Sequence, residues 1–161
     1  MILRTFQDAC SKRKPIHQPI HQLVLIILMV LALLLPAHLA HANDAFSYRS
    51  EQFKANKQAM RDIAQALSYD DFEAISDAAS RIEDWGREMA QYFPKGSNPP
   101  PSQALDAIWE QPDAFAAAID RHLKAVERLQ TLALDEDSAG LPQAMRDLAA
   151  SCQACHQSFR Y

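Results

Sequence analysis

No run of this chain alternates apolar and polar residues with the two-residue period of a half-buried strand. That absence removes the strand–helix–strand setting that a thioredoxin-like dithiol requires. There is no internal repeat and, apart from one cluster of prolines, no low-complexity tract. Basic charge is outnumbered, 16 Lys+Arg against 20 Asp+Glu, and nothing resembles the basic stripe of a nucleic-acid-binding protein. Cysteine is scarcer still, at three residues. What the chain does carry lies at its two ends and in the apolar periodicity between them.

The first 42 residues read as a secretory signal peptide. Arg4, Lys12, Arg13 and Lys14 make a basic start, Leu23 to Leu35 is an uninterrupted apolar run of 13 residues, and Ala40-His41-Ala42 follows as a small-x-small cleavage site. Thirteen residues fall short of the roughly 20 needed to cross a bilayer, so an uncleaved membrane anchor is the second reading. Cleavage after Ala42 leaves one domain, Asn43 to Tyr161, in the periplasm with no stable membrane insertion. Cys10 departs with the signal, so only Cys152 and Cys155 remain. Residues 1–42 hold four of the bases and one of the acids, which leaves 12 Lys+Arg against 19 Asp+Glu. An acidic surface of that kind steers basic partners and is also an ordinary solubility feature.

Four helical stretches follow. Phe46, Phe53, Met60, Ile63 and Leu67 recur at three-, four- and seven-residue steps, an apolar stripe. Asp70 and Glu73 have capping-box spacing ahead of a second stripe of Phe72, Ile75, Ala79, Ile82, Gly86 and Met89. Gly86, costly inside a helix by up to about 1 kcal/mol, marks either a close approach or simple tolerance. Prolines 94, 99, 100 and 101 bar a continuous helix, and the chain must cross the bundle there before a short helical piece within Ala104 to Glu110. Pro112 opens a third helix striped by Phe115, Ile119, His122, Val126 and Leu129; Asp135-Glu136-Asp137-Ser138 ends it, because adjacent carboxylates oppose the dipole at a helix C-terminus. Pro142 opens the fourth, with Leu141, Met145, Leu148, Cys152, Cys155 and Phe159 in line. The pattern predicts an all-α, antiparallel four-helix bundle, a fold that builds cofactor sites between facing helices.

Cys152-Gln153-Ala154-Cys155-His156 identifies the cofactor. The spacing is that of c-type haem attachment. On a helix of about 3.6 residues per turn the two thiols and the imidazole stand at i, i+3 and i+4 and share one face. The sulfurs then form thioethers with the porphyrin edge, and His156 reaches the iron from one side. Zinc needs about four ligands, whereas the processed chain offers two cysteines and two histidines, with His122 on a different helix. One covalent haem c, near one end of the bundle, is the expectation.

Function then turns on the sixth coordination position. A methionine or second histidine there makes an electron-transfer haem, and an apolar residue leaves the iron open to small gases. Met145 lies two turns before Cys152 on the haem-bearing helix and points wrongly. His122, on an apolar face, reads as a core or surface-edge histidine. Phe53 and Met60 lie on the same stripe of the first helix, and periodicity does not choose between them.

The chain resembles the cytochrome c-prime family. The likeness rests on Arg49-x-x-x-Phe53-Lys54 with Met60 seven residues on, on Phe93-Pro94-Lys95-Gly96-Ser97, on Ala107-Ile108-Trp109 followed by Phe115, and on Cys152-x-x-Cys155-His156-x-x-Phe159-Arg160. The resemblance implies a haem near one end, His156 as sole protein ligand and Phe53 on the distal face. It also implies Arg49 near a haem propionate, Arg160 as a proximal arginine, and a homodimer packed through the first two helices. The expected activity is binding of nitric oxide and carbon monoxide, with electron carriage for a redox partner that the sequence does not identify, and no enzymatic turnover. The alternative is a low-spin electron carrier with Met60 as sixth ligand.

Overall fold

The computed structural model describes the backbone of residues 20–161 and the side chains of residues 22–30 and 44–161. The basic start of the signal, with Cys10, lies outside the described residues, as do the side chains of Ala40-His41-Ala42. The chain divides into two units, Met1–Ala37 and His38–Tyr161. In the first, Leu23 to Val30 are each about half exposed or more, so these apolar residues fill no core. Among the described residues, no helix is long and apolar enough to cross a membrane.

The second unit is a four-helix bundle. Its first helix is the part of α1 (Ile20–Ala66) from His38 onward; α2 spans Phe72–Glu88, α3 the single turn Ala107–Glu110, α4 Pro112–Leu134 and α5 Leu141–Phe159. A 3₁₀ turn, Met89–Tyr92, prolongs α2. Helix α2 starts one residue later than the capping-box reading places it. Asp70 has a left-handed backbone, φ 52°, and Asp71 is the cap, its carboxylate accepting from the Ala74 amide at 3.0 Å. Two adjacent aspartates offer the same side chain; the tight turn out of α1, with the Asp71 amide on the Ala66 carbonyl, decides which one faces the orphan amides. At the other end of the bundle Glu136 also turns left-handed, φ 54°, and the Asp137 carboxylate accepts from the Gly140 amide. A Cβ on Gly140 would lie 2.7 Å from that carboxylate and 3.0 Å from Leu132, which is why a glycine leads into α5.

Two cores divide the interior. The first draws on all four long helices: Ala59, Ile63 and Ala66 of α1 meet Ile75, Ala79 and Ile82 of α2, Val126 and Leu129 of α4, and Leu141 and Leu148 of α5. Their contact follows from apolar stripes at helical spacing on each segment. The second core comes from α2, α3, α4 and α5, with Trp85, Met89, Ile108, Phe115, Ile119 and Phe159. The haem-end residues of α1 are absent from it. Phe46, Arg49 and Phe53 instead line a cavity between α1 and the other helices.

The proline-rich crossing is fixed by hydrogen bonds in place of helix. Gly96 takes φ 83°, open to a residue without Cβ, in a turn closed by the Ser97 amide on the Pro94 carbonyl. The Trp109 indole N–H donates to the Phe93 carbonyl at 2.9 Å. Further on, Ala104 and Arg160 form an antiparallel bridge, and the Tyr161 amide donates to Gln103. The chain end is thus paired to the crossing segment.

Candidate functional site

The cavity beside α1 has a volume of about 720 Å³, and Cys152, Cys155 and His156 open onto it from α5. That volume lies in the ordinary range for cofactor sites. Both cysteines are half-buried and, among the described residues, form no disulfide; burial pushes each thiol above the usual range. Burial, followed by the charge of Arg160, lowers the proton affinity of His156, which favours the neutral imidazole that binds metal.

Facing His156 across the cavity stands Phe53, with ring centroids 6.4 Å apart. A flat macrocycle between them needs roughly 3.5 Å on the phenyl side. On the imidazole side it needs a metal–nitrogen bond of about 2 Å plus the half-width of the ring. The separation matches that demand closely. Phe53 is itself held edge-on by Trp85, centroids 5.5 Å apart at 88°, and Trp85 is 1% exposed. Trp85 was not among the residues singled out from periodicity. It stands three residues from Ile82 and next to Gly86, so the stripe of α2 is wider than the chosen positions. Met60 lines the same cavity but packs against the first core.

Arg49 is a buried charge held by several hydrogen bonds. It is 3% exposed, with its guanidinium donating to the Tyr92 carbonyl at 2.9 Å, to Ser97 Oγ at 3.0 Å and to the Ser97 carbonyl. A longer contact reaches Ser102 Oγ at 3.3 Å. Its plane lies over the Phe93 ring, 4.6 Å from the centroid, a cation–π contact. No carboxylate pairs with it among the described residues, and desolvation pulls its proton affinity down to about 10. A buried cation with only neutral partners is expensive. Its position on the cavity wall therefore calls for an anion from the occupant. Haem, with two carboxylates on its edge, is such an occupant. The residues present fit it in three respects: a thiol–thiol–imidazole face, a slot of one ring's thickness, and an unpaired cation at the rim.

Arg160 is exposed yet held, with Nε and Nη2 donating to Gln103 Oε1 at 2.9 and 2.5 Å. It lines the cavity on the His156 side. His122, read from sequence as a core or surface-edge residue, is buried at 6% exposure and lines the cavity as well. Its Nδ1 lies 3.0 Å from Ser151 Oγ, and that hydroxyl donates to the Leu148 carbonyl, so Nδ1 carries the proton. Nε2 has no partner. Burial, then the nearby His156, lowers its proton affinity. Gly86 settles as a close approach: a Cβ there would lie 2.7 Å from Leu123 and 3.6 Å from His122. Single-residue periodicity carries no signal for such a cross-helix contact.

Residues 44–160 match the family model described as cytochrome C′. Cytochrome c-554 of Cereibacter sphaeroides is 42% identical over 94 residues, covering 56% of this chain and 70% of that protein. Two solved structures share the fold. A cytochrome c prime from Alcaligenes xylosoxidans, a mutant in complex with nitric oxide, has TM-score 0.67 and 20% identity over 74% of this chain and 94% of that one. A cytochrome c′ described as having ligand-controlled dimer dissociation has TM-score 0.68 and 17% identity over 74% and 95%.

Proposed function

Because this chain belongs to the cytochrome c′ family and its cofactor is covalent haem c, we propose that it is an exported, five-coordinate haem protein that binds nitric oxide and carbon monoxide and also carries electrons. The bound haem supplies an iron with one open coordination position. The observation that carries the reading is the opposition of Phe53 to His156, with ring centroids 6.4 Å apart.

The chain's own residues divide the work. Cys152 and Cys155 tether the ring, and His156 ligates from one side. Phe53, braced by Trp85, closes the other face with hydrocarbon, so it donates no hydrogen bond to a bound ligand. That disfavours a polar dioxygen adduct relative to gases that need no such donor. Arg49 takes a propionate, and Arg160, clamped on Gln103, stands beside His156. The nitric oxide complex of one structural neighbour supports the gas, and the dimer of another supports assembly as a homodimer. Residues 1–42 act as a signal for export to the periplasm, cleaved after Ala42.

The low-spin alternative is decided by two variants read in the visible and resonance Raman spectra. Phe53→Met is expected to turn the ferric protein low-spin, and Met60→Leu to leave the spectrum unchanged. The converse pattern would assign the sixth ligand to Met60 and leave a plain electron carrier.

A further inference from the structure

A row of aromatic rings leads away from the cavity. From Phe53 the contacts pass to Trp85 at 5.5 Å, from Trp85 to Tyr92 at 5.7 Å, and from Tyr92 to Tyr48, stacked at 4.1 Å and 28°. Tyr48 also meets Trp85 directly, at 6.1 Å. The row begins in the interior, where Trp85 is 1% exposed, and ends at the surface, where Tyr48 is 37% exposed. There Tyr48 borders an open depression with Asp44, Gln91 and Pro94.

Packing alone accounts for such rings in contact, but it does not account for the polar atoms. The indole N–H of Trp85 is buried without an acceptor among the described residues. Tyr48, at the far end, donates its hydroxyl to Glu88 Oε1 at 3.1 Å. The two ends thus differ in what they do with a proton when the ring loses an electron. Trp85 keeps its proton and becomes a cation in apolar surroundings, which is unfavourable, so the charge moves on. Tyr48 hands its proton to a carboxylate already in contact and becomes a neutral radical.

We propose that Trp85, Tyr92 and Tyr48 form an outlet that carries oxidising equivalents from the haem cavity to the surface and so protects the cofactor from peroxide. The proposal rests on the open iron position argued above. The oxidant is hydrogen peroxide, which takes up two electrons and, from solvent, two protons to give two waters. One electron comes from the cofactor. The other comes from Tyr48, whose hydroxyl bond breaks as the proton passes to Glu88; the electron travels inward through Tyr92 and Trp85. Two equivalents of a soluble one-electron donor of the thiol or phenol class close the cycle. One restores Tyr48, which regains its proton from Glu88, and the other passes its electron inward along the same row to the cofactor. Partial burial and the bond to Glu88 push the phenol up to about 12, so at neutral pH it gives its electron only as its proton leaves.

The test uses the haem-loaded ferric protein mixed with hydrogen peroxide and frozen for electron paramagnetic resonance, with a parallel sample digested and mapped by mass spectrometry. The expected result is a tyrosyl radical, oxidation concentrated at Tyr48, and faster haem bleaching with loss of the radical in Tyr48→Phe. Tyr69 and Tyr161 are more exposed, at 78% and 85%, so peroxide acting from solution would mark those two first. Trp85→Phe is expected to retain a folded, haem-loaded protein and to lose the Tyr48 radical. Absence of a tyrosyl signal in the wild type, or a signal and bleaching rate unchanged in Tyr48→Phe, overturns the outlet. The ferric signal recorded before peroxide separates the two readings: a low-spin signal defeats the open position, and a high-spin signal with no tyrosyl radical defeats the outlet alone.

Discussion

At the scale of single residues, two buried polar side chains carry the most information. Arg49 fills the corner between α1 and the proline-rich crossing, and its charge is met there only by carbonyls, hydroxyls and an aromatic face. Arg49→Leu would strand the buried Ser97, 0% exposed, and remove charge-assisted hydrogen bonds. Urea unfolding of the haem-loaded protein is expected to show a loss of about 3 kcal/mol. His122 gives a pH signature. Its folded-state affinity for protons is depressed by burial, whereas in the unfolded chain it titrates near 6.5. Below that pH the unfolded state binds more protons, so the stability contributed by neutral His122 is present above it and lost as pH falls. His122→Phe should flatten the fall in unfolding midpoint between neutral and mildly acid pH; an unchanged profile would remove His122 from that role. The sequence shows that Arg49 precedes Phe53 by one turn, but not that Ser97 and Tyr92 come to it from 40 or more positions away.

At the scale of elements, helical periodicity was sufficient for α2, α4 and α5, because each buries a stripe and each ends at residues with a physical reason to stop. Pro112 and Pro142 stand in the first turns where a missing N–H costs nothing, and the acidic run after Leu134 terminates α4. Helix α2 starts one residue beyond the capping-box position because Asp70 and Asp71 are chemically the same and differ only in backbone angle. Asp71→Ala is expected to cost about 1 kcal/mol in thermal or urea unfolding. Asp70→Gly, which suits the left-handed φ of 52°, should cost nothing measurable. Trp85 escaped the periodic reading for a different reason. Its contact, Phe53, lies on another helix, and spacing along one helix does not report contacts across two.

At the scale of the whole molecule, the bundle has a closed end and an open one. The closed end is packed by small and branched side chains from all four helices, and the open end trades α1 core contacts for a cavity. Such a cavity leaves fewer packing contacts until it is filled, so covalent haem acts as part of the core. A Cys152→Ser, Cys155→Ser variant lacking attached haem should unfold at lower urea concentration than the holoprotein, by linkage to the bound group. The motif at 152–156 declared the cofactor in sequence because covalent attachment demands fixed chemistry at fixed spacing. The open iron face that we propose rests on tertiary placement, Phe53 opposite His156, which spacing along one helix does not report. The most direct measurement is the absorption spectrum of the ferrous protein as carbon monoxide is added. A high-spin spectrum that converts to a ligand-bound form at stoichiometric gas is the predicted result. A low-spin spectrum that carbon monoxide leaves unchanged would contradict an iron held from one side only.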